Sequence, residues 1–296
     1  MKIRAHRVAG DSACFGDERY GIGFAIACGD GPEAQPGRPM RFRRVSEAAD
    51  TPMETENQTT TVPAYVWPEP KAEFHSWAYL RHNQRRQEHL ASLGLDLAGA
   101  TVLEVGAGIG DHTSFFLDRG CKVVVTEGRP ENFEILRGRF PEMETHLLDM
   151  EAPDLKFPTP FEIVYCYGLL YHLSDPVPAV AYMAAQCGRM LLLETCVSFA
   201  DGDAINPVDE PREAASQAVS GLGCRPNRRW VFDELKKYFP HVYLPVTQPW
   251  HEEFPLDWTT PPTDPTLLTR AIYIATRQPI SHPLLREEIP QQQRRH

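Results

Sequence analysis

The residues best suited to chemistry in this chain begin with a carboxylate beside a run of glycines. In VLEVGAGIGDHT, residues 102–113, Glu104 stands two places before Gly106, and Gly108 and Gly110 follow. Glycines there let the backbone turn sharply and lie close to a ligand with no Cβ in the way. The amides that open the next helix carry partial positive charge and favour an electron-rich ligand group. A dinucleotide turn, G-x-G-x-x-G, wants its third glycine where Asp111 stands, so Gly110 comes one residue early. Glu104 beside a pyrophosphate would be repelled, whereas beside a cationic ligand it attracts. Glu127 lies roughly twenty residues beyond the glycines, where an acidic side chain accepts hydrogen bonds from ribose hydroxyls.

A second set of residues suits proton transfer and substrate contact. His172 lies in Gly168-Leu-Leu-Tyr-His-Leu-Ser-Asp-Pro176. Its imidazole is neutral near pH 7 and takes a proton from a hydroxyl or amine; packing or helix capping is the alternative role. Tyr171 and His251 are weaker candidates for the same work. Glu194 either holds a substrate hydroxyl or amine, or pairs with an arginine from the following segment. Arg225 and Arg228, near a helix start, either clamp a carboxylate or phosphate or form surface ion pairs.

The elements that must position these residues follow from periodicity. Strands are expected at 102–105, 122–126, 144–148, 161–167, 189–196, 241–246 and 268–275. Helices are expected at 71–93, 113–119, 130–140, 178–187 and 230–238. On the first helix Tyr79, Asn83, Arg86, Leu90 and Leu93 share one face. Strand, glycine turn and helix open a βαβ unit. Every candidate named in the first half then falls at the carboxyl ends of strands, where open α/β sheets bind ligands.

With these residues in place, the stretch from 102 to 176 resembles the class I S-adenosylmethionine (SAM)-dependent methyltransferases of the small-molecule type, and the resemblance extends over about 71–276. It implies a Rossmann-like α/β fold, a seven-stranded sheet in the order 3-2-1-4-5-7-6 with helices on both faces. It implies SAM as cofactor, whose sulfonium and ammonium groups suit Glu104. Glu104, Gly106, Ala107, Gly108, Gly110, Glu127, Asp149, Met150 and Tyr167 are then the cofactor set. Asp149 would accept from the adenine amine or else only form a turn, Met150 would pack on the ring, and the backbone near Tyr167 would hold the methionine part. Asn83 or Arg86 would reach the SAM carboxylate. His172 is the catalytic candidate, and Tyr171, Glu194, Arg225, Arg228 and His251 the substrate candidates. The strand at 161–167 lacks the Asn/Asp-Pro-Pro-Tyr ending of many base-amine methyltransferases and the terminal Asp of metal-dependent catechol enzymes. A small organic acceptor, O-methylated in preference to N- or C-methylated, is expected, and no metal.

Composition narrows the partners. A formal net charge of −10 over 296 residues disfavours nucleic acid, although the arginines at 225–229 keep an RNA-modifying enzyme as a rival. The other rivals are a SAM-fold binding protein without transfer activity and a nicotinamide oxidoreductase, the latter opposed by Asp111 and Glu104. Seven cysteines, an odd number without a C-x-x-C pair or metal spacing, read as reduced thiols in a cytoplasmic protein. No apolar run reaches the ~18 residues of a membrane span. Gly21–Cys28 is too short, and too acidic in its approach, for a signal peptide. Residues 1–62 read as an N-terminal extension, β-rich or loosely ordered, and 63–278 as the methyltransferase domain. The Gly/Pro-rich stretch 198–229 reads as a substrate lid, and 279–296 as a polar tail that frays. A monomer or homodimer is expected.

Overall fold

The computed structural model describes the strands at 6–8, 12–17 and 22–27, and residues 71–296 apart from 201 and 265. The chain divides into two units, Met1–Val62 and Pro63–His296. In the first, β1 (His6–Val8), β2 (Ser12–Asp17) and β3 (Ile22–Ala27) form an antiparallel sheet in chain order. The polar stretch at 29–62 and the proline-rich segment at 63–70 lie outside the described residues.

The second unit opens with α1 (Lys71–Phe74) and α2 (Trp77–Ser92). One continuous helix was the expectation. Ser76 interrupts it by adopting an extended conformation, and its hydroxyl caps α2 by accepting from the Tyr79 N–H. The face that carries Asn83, Arg86, Leu90 and Leu93 is the buried one. There follow β4 (Thr101–Val105), α3 (Thr113–Leu117), β5 (Lys122–Glu127), α4 (Pro130–Arg139), β6 (Thr145–Leu147), β7 (Phe161–Tyr167), α5 (Pro176–Gln186) and β8 (Cys187–Cys196). The chain continues through β9 (Pro207–Asp209), β10 (Leu222–Cys224), α6 (Arg228–Lys236), β11 (His241–Pro245), β12 (Thr247–Gln248), β13 (Arg270–Thr276), β14 (Leu285–Arg286) and β15 (Arg294–Arg295).

The main sheet runs β14-β11-β13-β8-β7-β4-β5-β6. Its parallel strands β6, β5, β4, β7 and β8, followed by antiparallel β13 and β11, give the expected order 3-2-1-4-5-7-6. The eighth strand corrects the reading of 279–296 as a fraying tail. Leu285 is buried, β14 pairs with Leu244 and Pro245, and β15 pairs with β12. Gln293 secures the segment by accepting from Trp258 Nε1 at 2.6 Å and donating to the Pro245 carbonyl at 2.6 Å. The polar residues that suggested solvation instead satisfy the backbone of a sheet edge.

Side chains alternate across the sheet. Leu103, Val164, Cys166 and Leu191 join one core layer with α5 and α6, while Val102, Ile163, Tyr165 and Leu192 join the other with Phe116 of α3. Burial decides stability here. Phe116 is fully enclosed and meets Tyr165 edge-on at 4.8 Å; truncating such a ring costs about 3–5 kcal/mol. The exposed Arg137–Glu134 pair contributes at most about 1 kcal/mol. Among the described residues no helix is long and apolar enough to cross a membrane.

Candidate functional site

The carboxyl ends of β4, β5, β6 and β7 open into one cleft of about 920 Å³, part of it open to solvent. Glu104, Gly106, Ala107, Gly108, Glu127, Asp149, Met150, Tyr167 and His172 all line it. The glycine turn shapes its floor. Gly106 has φ +68°, and a Cβ there would come within 2.7 Å of Leu169. Gly110 does not reach the cleft: a Cβ on it would strike Leu136 and Phe140, so its role is close packing of α4 on the turn.

Three carboxylates are held in different ways. Glu104 is buried, accepts from the Thr113 hydroxyl at 2.7 Å, and is pushed up to about 7 by burial. Glu127 accepts from the Gly108 N–H at 2.8 Å and the Arg129 N–H at 2.9 Å. It thereby ties the end of β5 to the glycine turn and the start of α4, and burial raises its pKa. Asp149 is exposed on the rim and uses Oδ1 to accept from the Glu151 N–H, a turn former that also faces the cleft.

Several cleft-lining polar atoms are buried without a hydrogen-bond partner: Arg86 Nε, Asp111 Oδ2, Arg129 Nε, Asn132 Oδ1 and Tyr167 Oη. Buried polar groups are normally paired. Donors and acceptors left over on one concave wall fit a polar ligand that offers both, as SAM does.

At the other end of the cleft, His172 occupies a short 3₁₀ turn, Leu170–His172, after β7. Glu210 is a site residue that the sequence reading missed, because only the fold brings it to His172. Its Oε2 accepts from His172 Nδ1 at 2.5 Å and from the Ala218 N–H at 2.8 Å, and its Oε1 pairs with Arg225 at 3.0 Å. Burial lowers the His172 pKa and outweighs the opposing pull of Glu210. A carboxylate only accepts, so Nδ1 carries the proton and Nε2 is left with the lone pair a base needs.

The stretch 198–229, expected as a lid, contains the β9–β10 hairpin, and its Ala215, Ser216, Gln217 and Val219 line the cleft. Glu73 accepts from the Ala215 N–H at 2.9 Å and from the Ser216 hydroxyl, while Asn132 donates to the Ala215 carbonyl at 2.9 Å. The segment is therefore pinned to both α1 and α4.

The remaining substrate candidates do not face the cleft. Glu194 is fully buried and pairs with Arg86 at 2.8 Å and Arg270 at 3.1 Å. Burial alone would raise its pKa, but the two arginines hold it below the ordinary value. Its partners come from α2 and β13, not from the next segment. Tyr171 accepts from Arg270 Nη2 at 3.1 Å and lies beneath the guanidinium groups of Arg270 and Arg225. Arg225 is committed to Glu210. Arg228 stacks on Trp258 and donates to the Pro290 carbonyl at 2.8 Å, far from any clamp on substrate. His251 packs against His82. Another missed residue, His112, follows the glycine turn, lines the cleft and bonds Tyr165 through Nδ1. Its place directly after Asp111 was the available signal.

Residues 102–191 match the family described as a methyltransferase domain. Among curated relatives, the tRNA U34 carboxymethyltransferase of Pseudoalteromonas translucida is 30% identical over 115 residues, 37% of this chain and 36% of the relative. That of Colwellia psychrerythraea is 31% identical over 125 residues, 40% of this chain and 37% of the relative. The chain thus matches little more than a third of the length of these relatives. Among solved structures, the N-terminal domain of EvdMO1 with SAH bound has a TM-score of 0.49 and 21% identity, covering 71% of this chain and 85% of that one. An S-adenosylmethionine-dependent methyltransferase from Mesorhizobium loti has a TM-score of 0.46 and 15% identity, covering 65% and 98%.

Proposed function

We propose that this protein transfers a methyl group from SAM to a small hydroxylated or aminated organic acceptor. The observation that carries the reading is the cleft itself, in which Glu104, the glycine turn, Glu127 and Asp149 stand in order along the carboxyl ends of three adjacent strands. Glu104 receives the cofactor's ammonium, Arg86 and Asn83 face its carboxylate, Glu127 takes the ribose hydroxyls and Asp149 the adenine amine. Bound SAM would supply its sulfonium methyl in line to the acceptor oxygen or nitrogen, the carbon–sulfur bond breaking as the new bond forms, and His172 Nε2 would take the acceptor's proton. Most of the acceleration comes from alignment of the two reactants. The protein is read as cytoplasmic, as its cofactor is.

A second reading, methylation or carboxymethylation of a tRNA uridine, is favoured by the names of the curated relatives. Against it, Arg225, Arg228 and Arg229 are spent on Glu210, Trp258 and Asp233 within the chain, and the net charge is −10. Calorimetric titration with S-adenosylhomocysteine, with NADH alongside, tests the cofactor; micromolar binding of the first alone is expected, and binding of NADH alone would sink the reading. Radiolabelled methyl transfer to a panel of hydroxylated and aminated small molecules, against bulk tRNA, then separates the acceptors. Label in tRNA and in none of the small molecules would replace the first reading by the second.

A further inference from the structure

Beside the cofactor cleft, the fold assembles three metal-binding side chains that share no local sequence pattern. His82 comes from α2, and His251 and Glu253 from the loop after β12. One ligand atom from each lies within 4.8 Å of the others. His82 is buried, and its Nε2 has no hydrogen-bond partner, 3.7 Å from Glu253 Oε2. The two imidazole rings are 4.8 Å apart between centroids. His251 Nδ1 accepts one long hydrogen bond, 3.4 Å from the Glu253 N–H, and its Nε2 lies 3.8 Å from Glu252 Oε1. Glu253 is held in place by Arg270, whose Nε donates to Oε2 at 2.5 Å.

We propose that His82, His251 and Glu253 bind one divalent transition-metal ion, with zinc the best match. Two imidazoles and one carboxylate are a zinc donor set, with a fourth position left for water. The surrounding charges select among cations. Arg86 and Arg270 act electrostatically on His82 and are balanced by Glu194 and Glu253, and Glu252 beside His251 is paired with Arg81. This neutral setting offers no excess of oxygen ligands to a hard cation such as calcium or magnesium, which needs six or more. A metal that bonds well to imidazole does not depend on such an excess. The orphaned His82 Nε2 is explained, since the ion takes the lone pair that nothing else uses. The three ligands do not line the cleft. The ion therefore acts as a strut: it fastens α2, which carries Asn83 and Arg86 into the cleft, to the loop at 249–254.

The test uses the full-length, tag-free chain, stripped with a chelator and dialysed against zinc, with metal content measured by mass spectrometry. One zinc per chain is expected, together with a rise in melting temperature. In His82→Ala and Glu253→Gln the affinity should drop by roughly a hundredfold or more. Absence of stoichiometric zinc in the wild type, or equal uptake by both variants, overturns the proposal. Should a variant fail to fold, cobalt substitution of the wild type decides: visible d–d bands of an imidazole-bound, low-coordinate ion support the site, and a spectrum of aqueous cobalt overturns it.

Discussion

Glu210 Oε2 lies 2.5 Å from His172 Nδ1, and the same carboxylate holds Arg225 and the Ala218 amide. A single acidic side chain from the cleft-covering segment thus orients the candidate base. His172→Ala is expected to lower turnover by roughly two or more orders of magnitude and leave the affinity for S-adenosylhomocysteine nearly unchanged. Glu210→Gln removes an influence that raises the His172 pKa. The acid limb of the pH–rate profile should therefore move to lower pH as kcat falls. Unchanged turnover in His172→Ala would remove the imidazole from the mechanism, and an unmoved acid limb in Glu210→Gln would leave Glu210 a purely structural clasp.

If Glu104 meets the cofactor's ammonium as proposed, cofactor binding is expected to release a proton. Burial raises its pKa to about 7, so near neutral pH a substantial fraction of the free protein holds a proton there. A bound ammonium favours the carboxylate. Binding of S-adenosylhomocysteine at pH 7 should therefore release a fraction of a proton. Titration calorimetry in two buffers of different ionisation enthalpy measures it; identical apparent enthalpies would show that Glu104 does not meet the cationic group.

Asp149 is exposed, so its loss should affect ligand far more than fold. Asp149→Ala is expected to weaken S-adenosylhomocysteine binding by about 10- to 100-fold, the value of one hydrogen bond to a charged group, with little change in melting temperature. An unaltered affinity would reduce Asp149 to the turn former that its bond to Glu151 already makes it.

Acid should unfold the protein through its histidines. Burial lowers the pKa of His82, His112, His172 and His251, and takes His89 to about 3. The unfolded chain binds protons on these groups below about pH 6.5 while the folded chain does not. Stability is thus retained above that pH and lost as pH falls, by up to about 1.4 kcal/mol per unit for each such group. Glu104, raised to about 7 by burial, and Glu127, also raised by burial, act in the opposite sense but are fewer. Melting temperature should fall steadily from pH 7 to pH 5; a flat or rising profile would contradict these burial effects.

The part of the site visible in sequence is the part written locally. Glu104, Gly106 and Glu127 sit at strand ends within one βαβ unit, and periodicity placed those strands to within a residue or two. Glu210, Arg270 and Glu253 acquire their roles through contacts across the fold with His172, Glu194 and His82, which no spacing announces. For the same reason Glu194, Arg225 and His251 had the right chemistry but the wrong neighbours. The C-terminal segment was misread because polarity and proline describe its side chains, whereas its backbone is what docks.

The docking of that segment bears on how the molecule meets its own copies. Without β14 the outer side of β11 would present unpaired amides and carbonyls beside buried Val242 and Leu244. An open strand of that kind is a template for the same strand of a second molecule. Residues 285 and 286 occupy that position within the chain, and Gln293 clamps the cover from beyond it. A chain cut before residue 279 would keep every carboxylate of the cleft, and its failure would be coalescence with its siblings and not loss of chemistry.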